Sequence, residues 1–287
     1  MTAALAARGP DGEGFHVASP IGLGHRRLAI IDVGGGAQPL FGEDRRVVAV
    51  VNGEIYNFAA LRAELEQAGH SFATRTDSEV IVHGYEEWGD DMLAKLEGMF
   101  AFAVWDAGAR RLLLARDRLG EKPLFYAALP GGVLAFASEL KAFRHVPDID
   151  LRLDPAALAR YLVYEYVPAP ASILRGVRKL EPGTQLVLRP GEAPTISRYW
   201  DLPLADGPRL VEPAAAANEL RVCLRRAVAE RLVSDVPLGV FLSGGIDSST
   251  IAALAAEVRG GDLDTFAIGF DDPTFDESAA ARRVAAA

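Results

Sequence analysis

Ser243-Gly244-Gly245-Ile246-Asp247-Ser248-Ser249 follows the apolar run Val236-Pro237-Leu238-Gly239-Val240-Phe241-Leu242 and precedes a helical stretch, Thr250 to Val258. A buried strand that ends in a Ser/Gly turn and enters a helix has the makings of a phosphate cradle. Glycines let backbone N–H groups converge on an anion, serine hydroxyls add donors, and the helix offers its positive N-terminal end. The Gly-Lys-Ser/Thr ending of the Walker-type loop is missing, so a different nucleotide class is implied. A bare Ser-Gly-Gly would be an ordinary turn. The aspartate, the two further serines and the preceding strand argue against that reading.

Around this loop the pattern is strand, helix, strand. A long helix spans Pro213 to Leu232, a strand Val236 to Leu242, and a second apolar strand Thr265 to Phe270. That order predicts a parallel crossover and the start of an open α/β sheet over 210–287. Two such strands with their helices cannot cover both faces of a parallel sheet, so the chain is expected to stop within this domain. The Pro-, Gly- and Asp-rich stretch Asp201 to Pro208 reads as a linker.

Residues 1–205 differ. Short strand-like runs dominate: Leu28 to Val33, Arg46 to Val51, Phe100 to Trp105, Arg111 to Ala115 and Val133 to Ala137. Helical patterns lie between them, at Ala59 to Ala68 before Gly69, Ser78 to Trp88 before Gly89, and Pro155 to Tyr164. This alternation predicts an α+β domain built on antiparallel sheets.

Composition narrows the function classes. The 287 residues carry a net charge of −9, which argues against nucleic acid or an anionic membrane as the main partner. No apolar run approaches the ~20 residues of a membrane span, and the first residues lack the charged flank of a signal peptide. Cys223 is the single cysteine, which excludes an internal disulfide and fits a reducing, cytoplasmic setting. Its mid-helix position suggests a small buried apolar residue.

A series of motifs runs through the first 205 residues. It begins with Arg8-Gly9-Pro10-Asp11-Gly12, Gly24-His25-Arg26-Arg27-Leu28-Ala29-Ile30-Ile31-Asp32 and Asn52-Gly53-Glu54-Ile55-Tyr56-Asn57. It continues with Thr76-Asp77-Ser78-Glu79, Gly98-Met99-Phe100-Ala101-Phe102, Ala115-Arg116-Asp117-Arg118, Ala137-Ser138-Glu139 and Lys179-Leu180-Glu181-Pro182-Gly183. In this order, and followed by the Ser-Gly-Gly-Ile-Asp-Ser-Ser loop, the sequence resembles glutamine-hydrolysing asparagine synthetases. The resemblance covers essentially the whole chain.

The resemblance implies an N-terminal-nucleophile (αββα) glutaminase domain over 1–205, joined to the first part of an ATP-pyrophosphatase-type synthetase domain. The implied chemistry uses ATP and Mg²⁺ to activate an aspartate-like carboxylate as an acyl-adenylate, which ammonia from glutamine then attacks. Amidotransferases of exopolysaccharide or natural-product clusters keep the fold and change the carboxylate acceptor; β-lactam synthetases fit less well, because those relatives have lost much of the glutamine pocket that is intact here. A non-catalytic ligand-binding remnant is the reading from another class. A homodimer at full length is compatible with the family.

Site roles follow residue by residue from the same resemblance. Arg27 matches the carboxylate binder, as suits a bidentate guanidinium, with Leu28, Ala29, Ile30 and Ile31 as the wall beside it. Asp77, with Glu54, matches the group facing the substrate ammonium. By composition alone Asp77 reads as a helix N-cap for Ser78 onward. Asn52 and Gly53 match the oxyanion hole, supplied by a side-chain amide and a backbone N–H. Ser243, Gly244, Gly245, Ser248 and Ser249 match the phosphate ligands, and Asp247 a Mg²⁺ ligand. Leu242 and Ile268 fall at the implied adenine contacts, and Asp276-Glu277 near the phosphates or in the first turn of a helix.

Two departures stand out. The family's nucleophile is a cysteine at position 1 of the processed protein, activated by its own amine. Met1-Thr2 stands at the start here, and Ala7 replaces the usual histidine before Arg8. Cys223 lies in the wrong domain to substitute. The chain by itself is therefore expected to lack glutaminase activity.

Overall fold

The computed structural model describes residues 1–204 and 212–287. The expected domain limits at 205 and 210, and the second half of the expected linker, lie outside the described residues. The chain forms two compact units, Met1–Pro203 and Leu204–Ala287.

The first unit opens with strands β1 (Gly12–Ala18), β2 (Ile21–Arg27), β3 (Leu40–Phe41) and β4 (Val47–Ile55). Helices α1 (Phe58–Ala68), α2 (Val80–Trp88) and α3 (Met92–Lys95) follow. Then come β5 (Gly98–Asp106), β6 (Arg111–Arg116), β7 (Phe125–Leu129), β8 (Val133–Ala137), α4 (Pro155–Tyr164), β9 (Arg178–Lys179), β10 (Thr184–Leu188) and β11 (Thr195–Arg198).

Six of these strands make one antiparallel sheet in the order β11-β10-β6-β5-β4-β3. Its central strands are covered on both faces, which is why Val47-Val48-Ala49-Val50-Val51 is uniformly apolar. Side chains alternate between the faces at a period of two. Val47, Ala49 and Val51 join Leu61 and Leu65 of α1 and Ile81 of α2 in one core. Val48 and Val50 face a second core with Leu23, Leu124 and Tyr126. Those residues belong to a second strand layer made of the β1–β2 hairpin and the three-stranded sheet β8-β7-β9. Phe143, on a 3-10 segment at Leu140–His145, closes a third core over Ala127 and Ala137. The layering is αββα, with a thin outer helical layer: Ala157 is the only buried residue of α4, and Leu162 and Val163 are exposed.

One expected strand is not there. Residues 28–33 form an irregular loop, and β2 stops at Arg27. The cause is local. The Arg27 guanidinium draws in three carbonyls of this segment, and Asp32 takes a positive φ of 53° to turn the chain into Gly34.

The second unit contains α5 (Pro213–Glu230), β12 (Gly239–Phe241), α6 (Ile246–Arg259), β13 (Asp264–Phe266) and α7 (Ser278–Ala285). β12 and β13 pair in parallel, as the crossover pattern predicts. Both strands are shorter than expected: Val236 to Leu238 and Ala267 to Phe270 lie outside them. Helix α6 begins at Ile246 rather than Thr250, so Asp247, Ser248 and Ser249 form its first turn. Cys223 is exposed, which corrects the buried reading. The packed stripe of α5 runs through Leu224 and Val228, and Cys223 lies about 100° off it, at 3.6 residues per turn.

Among the described residues, no helix is long and apolar enough to cross a membrane. The second unit does leave large apolar side chains bare: Phe241, Phe266, Ile268, Phe270 and Phe275 are all more than half exposed. Contiguous apolar surface of this kind drives association. The purified 287-residue chain is expected to self-associate with rising concentration, and Phe241→Asp with Phe266→Asp to reduce this. Light scattering checks it, and a wild-type chain that stays monomeric at high concentration would refute it.

Candidate functional site

A cavity of about 790 Å³ lies between the two strand layers of the first unit. Arg27, Leu28, Ile30, Ile31, Asn52, Gly53, Glu54 and Asp77 all line it, brought together from β2, the 28–33 loop, β4 and the segment before α2. Ala29 is not among the lining residues. Its N–H instead donates to Asp11 Oδ2 at 2.9 Å, which pins the loop from outside.

Arg27 is held rather than free. Its guanidinium donates to the carbonyls of Ile31 (2.9 Å), Asp32 (2.7 Å) and Val33 (3.0 Å). Both Nη2 N–H groups are thereby used, which leaves Nε–H and one Nη1–H on different edges of the guanidinium, so the two-pronged grip expected of Arg27 gives way to a single hydrogen bond plus its charge. Asp32 completes the loop, accepting from the N–H of Gly35 and of Arg75.

The same wall carries two residues that were given no role from sequence, His25 and Gln38. Gln38 uses its amide like a strand: it accepts from Val51 N–H at 2.7 Å and donates to Val51 C=O at 3.0 Å. His25 Nε2 donates to that same carbonyl at 2.9 Å. Burial pushes the His25 pKa down, the Val51 bond partly opposes this, and the Arg27 charge adds to the lowering. A lowered His25 pKa keeps a further positive charge from forming beside Arg27. His25 sits inside a quoted motif, and only its contact with β4 distinguishes it from a surface histidine.

Asn52 and Gly53 lie next along β4. The Asn52 side-chain amide donates to Ser138 Oγ at 3.4 Å, a contact across 86 residues that sequence spacing does not signal. Gly53 has φ 157°, and a Cβ there would sit 2.1 Å from the Met99 carbonyl oxygen on β5. Glycine is therefore required by the close approach of two strands.

Asp77 is buried on a 3-10 turn, Asp77–Glu79, and does not cap it; Thr76 holds the cap position. Its Oδ2 accepts from Ile55 N–H at 2.7 Å, and its Oδ1 from Thr76 Oγ1 at 3.1 Å. Burial raises its pKa, with the Ile55 bond working the other way. Met1 and Thr2 also line the cavity, and no lining residue carries a thiol.

In the second unit, the Ser243–Ser249 segment forms an exposed turn into α6. Its hydroxyls hold one another: Ser243 Oγ and Ser248 Oγ are 3.0 Å apart, and Ser248 Oγ donates to the Gly245 carbonyl at 3.3 Å. Gly244 has φ 85°, and a Cβ there would meet Ala280 at 2.6 Å, so the turn packs against α7. Asp247 is exposed in the first turn of α6. Ser249 Oγ is buried without a hydrogen-bond partner, turned away from the surface its neighbours present.

The adenine positions do not come together. Leu242 is buried with Ala252 and Ala281, whereas Ile268 is exposed beyond the end of β13. A second cavity, of about 500 Å³, is lined by Leu242 and Asp276 but by none of Ser243 to Ser249, nor by Ile268. Asp276 bonds the N–H and hydroxyl of Ser278 at the start of α7, the helix-turn role left open from sequence.

Comparison with known proteins adds the family. A family model described as a glutamine amidotransferase domain matches residues 1–200, and one described as asparagine synthase matches residues 219–287. The chain is 40% identical over 287 residues to asparagine synthetase [glutamine-hydrolyzing] 1 of Bacillus subtilis, a match covering all of this chain and 45% of that protein. It is 43% identical over 285 residues to a putative asparagine synthetase [glutamine-hydrolyzing] of Mycobacterium tuberculosis, covering 94% of this chain and 43% of the relative. The chain thus spans less than half the length of these curated relatives. Among solved structures, a B. subtilis glutamine phosphoribosylpyrophosphate amidotransferase complexed with ADP and GMP aligns with a TM-score of 0.43 and 20% identity, over 88% of this chain and 53% of that one. The chain belongs to the glutamine amidotransferase family, in the branch that continues into an asparagine synthase domain.

Proposed function

We propose that the first unit is the glutamine site of an ATP-dependent amide-forming ligase, and that the second unit begins the domain in which a carboxylate is activated. The observation that carries this is the convergence of Arg27, Asn52, Gly53 and Asp77 on one cavity between two strand layers.

In this reading Arg27 holds the glutamine α-carboxylate by its charge and one unclamped N–H, and Asp77, with Glu54, faces its α-ammonium. A thiolate attacks the side-chain amide carbon, and the electron pair of the C=O bond moves onto oxygen. Asn52 Nδ2–H and the Gly53 N–H stabilise that oxyanion. The proton given up by the thiol passes to the leaving nitrogen, so collapse releases ammonia and leaves a thioester, which water hydrolyses to glutamate and the free thiol. Cys223 is not this nucleophile, since it sits on α5 of the other unit. The family resemblance assigns the role to an N-terminal cysteine, and Met1 on the cavity lining marks the side from which it would enter.

In the second unit, the hydroxyls of Ser243 and Ser248 and the N-terminal end of α6 make a donor set suited to ATP phosphates, while Ser249 Oγ is buried and takes no part. Asp247, a hard oxygen donor at the same turn, would hold Mg²⁺, which supplies charge neutralisation at those phosphates. The acceptor carboxylate attacks the α-phosphorus of ATP and pyrophosphate leaves, giving an acyl-adenylate; ammonia attacks its carbonyl carbon, a proton is lost, and AMP departs to give the amide. Aspartate is the acceptor that the relatives' names favour. A second reading keeps the chemistry and changes the acceptor.

The test uses a protein lengthened to match its relatives, with an N-terminal Cys-Gly-Ile segment and a complete synthetase domain. Arg27→Ala is expected to remove glutamine-driven synthesis while added ammonia still supports it. Asp247→Ala is expected to abolish synthesis from either nitrogen source and leave glutamine hydrolysis in place. Loss of the ammonia-driven reaction in Arg27→Ala would overturn this division of roles.

A further inference from the structure

Beside β3, away from the glutamine cavity, four side chains from three segments converge. Glu43 comes from the β3–β4 turn, His70 from the segment after α1, and His83 and Glu86 from α2. One ligand atom from each lies within 4.8 Å of all the others. His70 Nδ1 is 3.3 Å from Glu43 Oε1 and 3.9 Å from Glu86 Oε2, while His83 Nδ1 is 3.4 Å from Glu43 Oε2 and 3.5 Å from Glu86 Oε2. Four donors about 2.1 Å from a tetrahedral metal stand about 3.4 Å apart, close to these separations.

Two independent features point to a ligand. His83 is 1% exposed, and its Nδ1 is buried without a hydrogen-bond partner, as is Glu86 Oε2. An orphaned donor atom that deep is costly unless something occupies the space before it. Moreover, both imidazoles are oriented from behind. His83 Nε2 faces Glu79 Oε1 at 3.5 Å, and His70 Nε2 faces Glu87 Oε2 at 3.4 Å. Glu79 is itself fixed by the N–H groups of Ala73 and Thr74. A carboxylate behind each ring holds the proton on Nε2 and leaves the Nδ1 lone pair facing inward, the usual outer arrangement of a metal-bound histidine. Space is reserved too: a Cβ on Gly42 would collide with the Glu86 carboxylate.

We propose that Glu43, His70, His83 and Glu86 form a tetrahedral site for a divalent transition metal of the zinc type, which ties the β3–β4 turn to α2 and to the segment after α1. Two imidazoles and two carboxylates suit such an ion and neutralise its charge. All four protein positions are filled, so the site is structural rather than catalytic.

The test is made on the 287-residue chain after dialysis against a chelator. Zn²⁺ titrated against a chromophoric competitor should bind at one equivalent and raise the thermal midpoint, and Mg²⁺ should do neither. Co²⁺ should give the intense visible bands of a tetrahedral ion. His70→Gln should weaken zinc binding by more than about 100-fold, and Glu87→Gln, which touches only the back of His70, by about 10-fold. Chelated His70→Gln should melt like chelated wild type, which separates loss of metal from misfolding. The Co²⁺ spectrum of the wild-type chain needs no variant at all. Absence of stoichiometric zinc binding, zinc binding unchanged in His70→Gln, or a pale octahedral Co²⁺ spectrum would each overturn the site. The first of these would mean that a proton on His83, not a metal, holds the carboxylates together.

Discussion

Replacing Asn52 with alanine, in a version of the protein that hydrolyses glutamine, is expected to lower kcat by about 10²–10³-fold with little change in KM. Loss of one oxyanion donor costs about that much in acyl-transfer enzymes, because the donor acts where charge develops rather than where substrate rests. The structure adds a partner: Asn52 Nδ2 is directed by Ser138 Oγ from the end of β8. Ser138→Ala should therefore give a smaller fall in kcat of the same kind. Steady-state kinetics of both variants decide the matter. A rise in KM at constant kcat would place Asn52 on the ground-state substrate and remove it from the oxyanion hole.

The other large effect is on stability. Gly53→Ala puts a methyl group 2.1 Å from the Met99 carbonyl oxygen and 2.7 Å from the Phe100 Cα, both backbone atoms of a central strand. Neither can move aside as a side chain end could. Overpacking a core typically costs about 1–3 kcal/mol, and here a strained φ is added, so a loss of more than about 3 kcal/mol is expected. For a domain of this size that corresponds to a fall in thermal midpoint of roughly 6–12 °C. Calorimetry of the 287-residue chain measures it. A midpoint within about 2 °C of wild type would show that β4 and β5 separate easily at this point, contrary to their nine-residue register.

How far the sequence is legible can be judged from these same residues. Strand β4 announces itself as five consecutive apolar residues, and Val133–Ala137 and Pro155–Tyr164 have the limits that an apolar run between turn residues and Pro-at-N1 chemistry assign them. Local signals suffice where one segment decides its own state. They fail at 28–33, where an apolar run that reads as a strand is bent into a loop by one guanidinium. They fail again at Val236 and Phe270, because strand length in β12 and β13 depends on neighbours rather than on propensity. Arg27, Asn52 and Asp77 could be named because they sit in long motifs. Gln38 lies outside every motif, and His25 and Ser138, though inside motifs, do not stand out there, since each acts through a contact with distant backbone or side chain. The Glu43–His70–His83–Glu86 cluster is invisible for the same reason: its spacings of 27, 13 and 3 residues match no familiar ligand pattern.

The clamp on Arg27 has a consequence for recognition. A free arginine side chain carries about 2 kcal/mol of rotamer entropy, which a ligand must ordinarily overcome when it fixes the guanidinium. Here that freedom is surrendered during folding to the carbonyls of Ile31, Asp32 and Val33. In the role proposed for Arg27, a carboxylate arriving at the cavity meets a cation already fixed in place, so its binding draws on less ordering than the contact alone would demand. The same wiring makes the loop a remote control of affinity. A change at Asp32 or Asp11, neither of which needs to touch the ligand, would return motion to Arg27 and weaken binding through entropy alone.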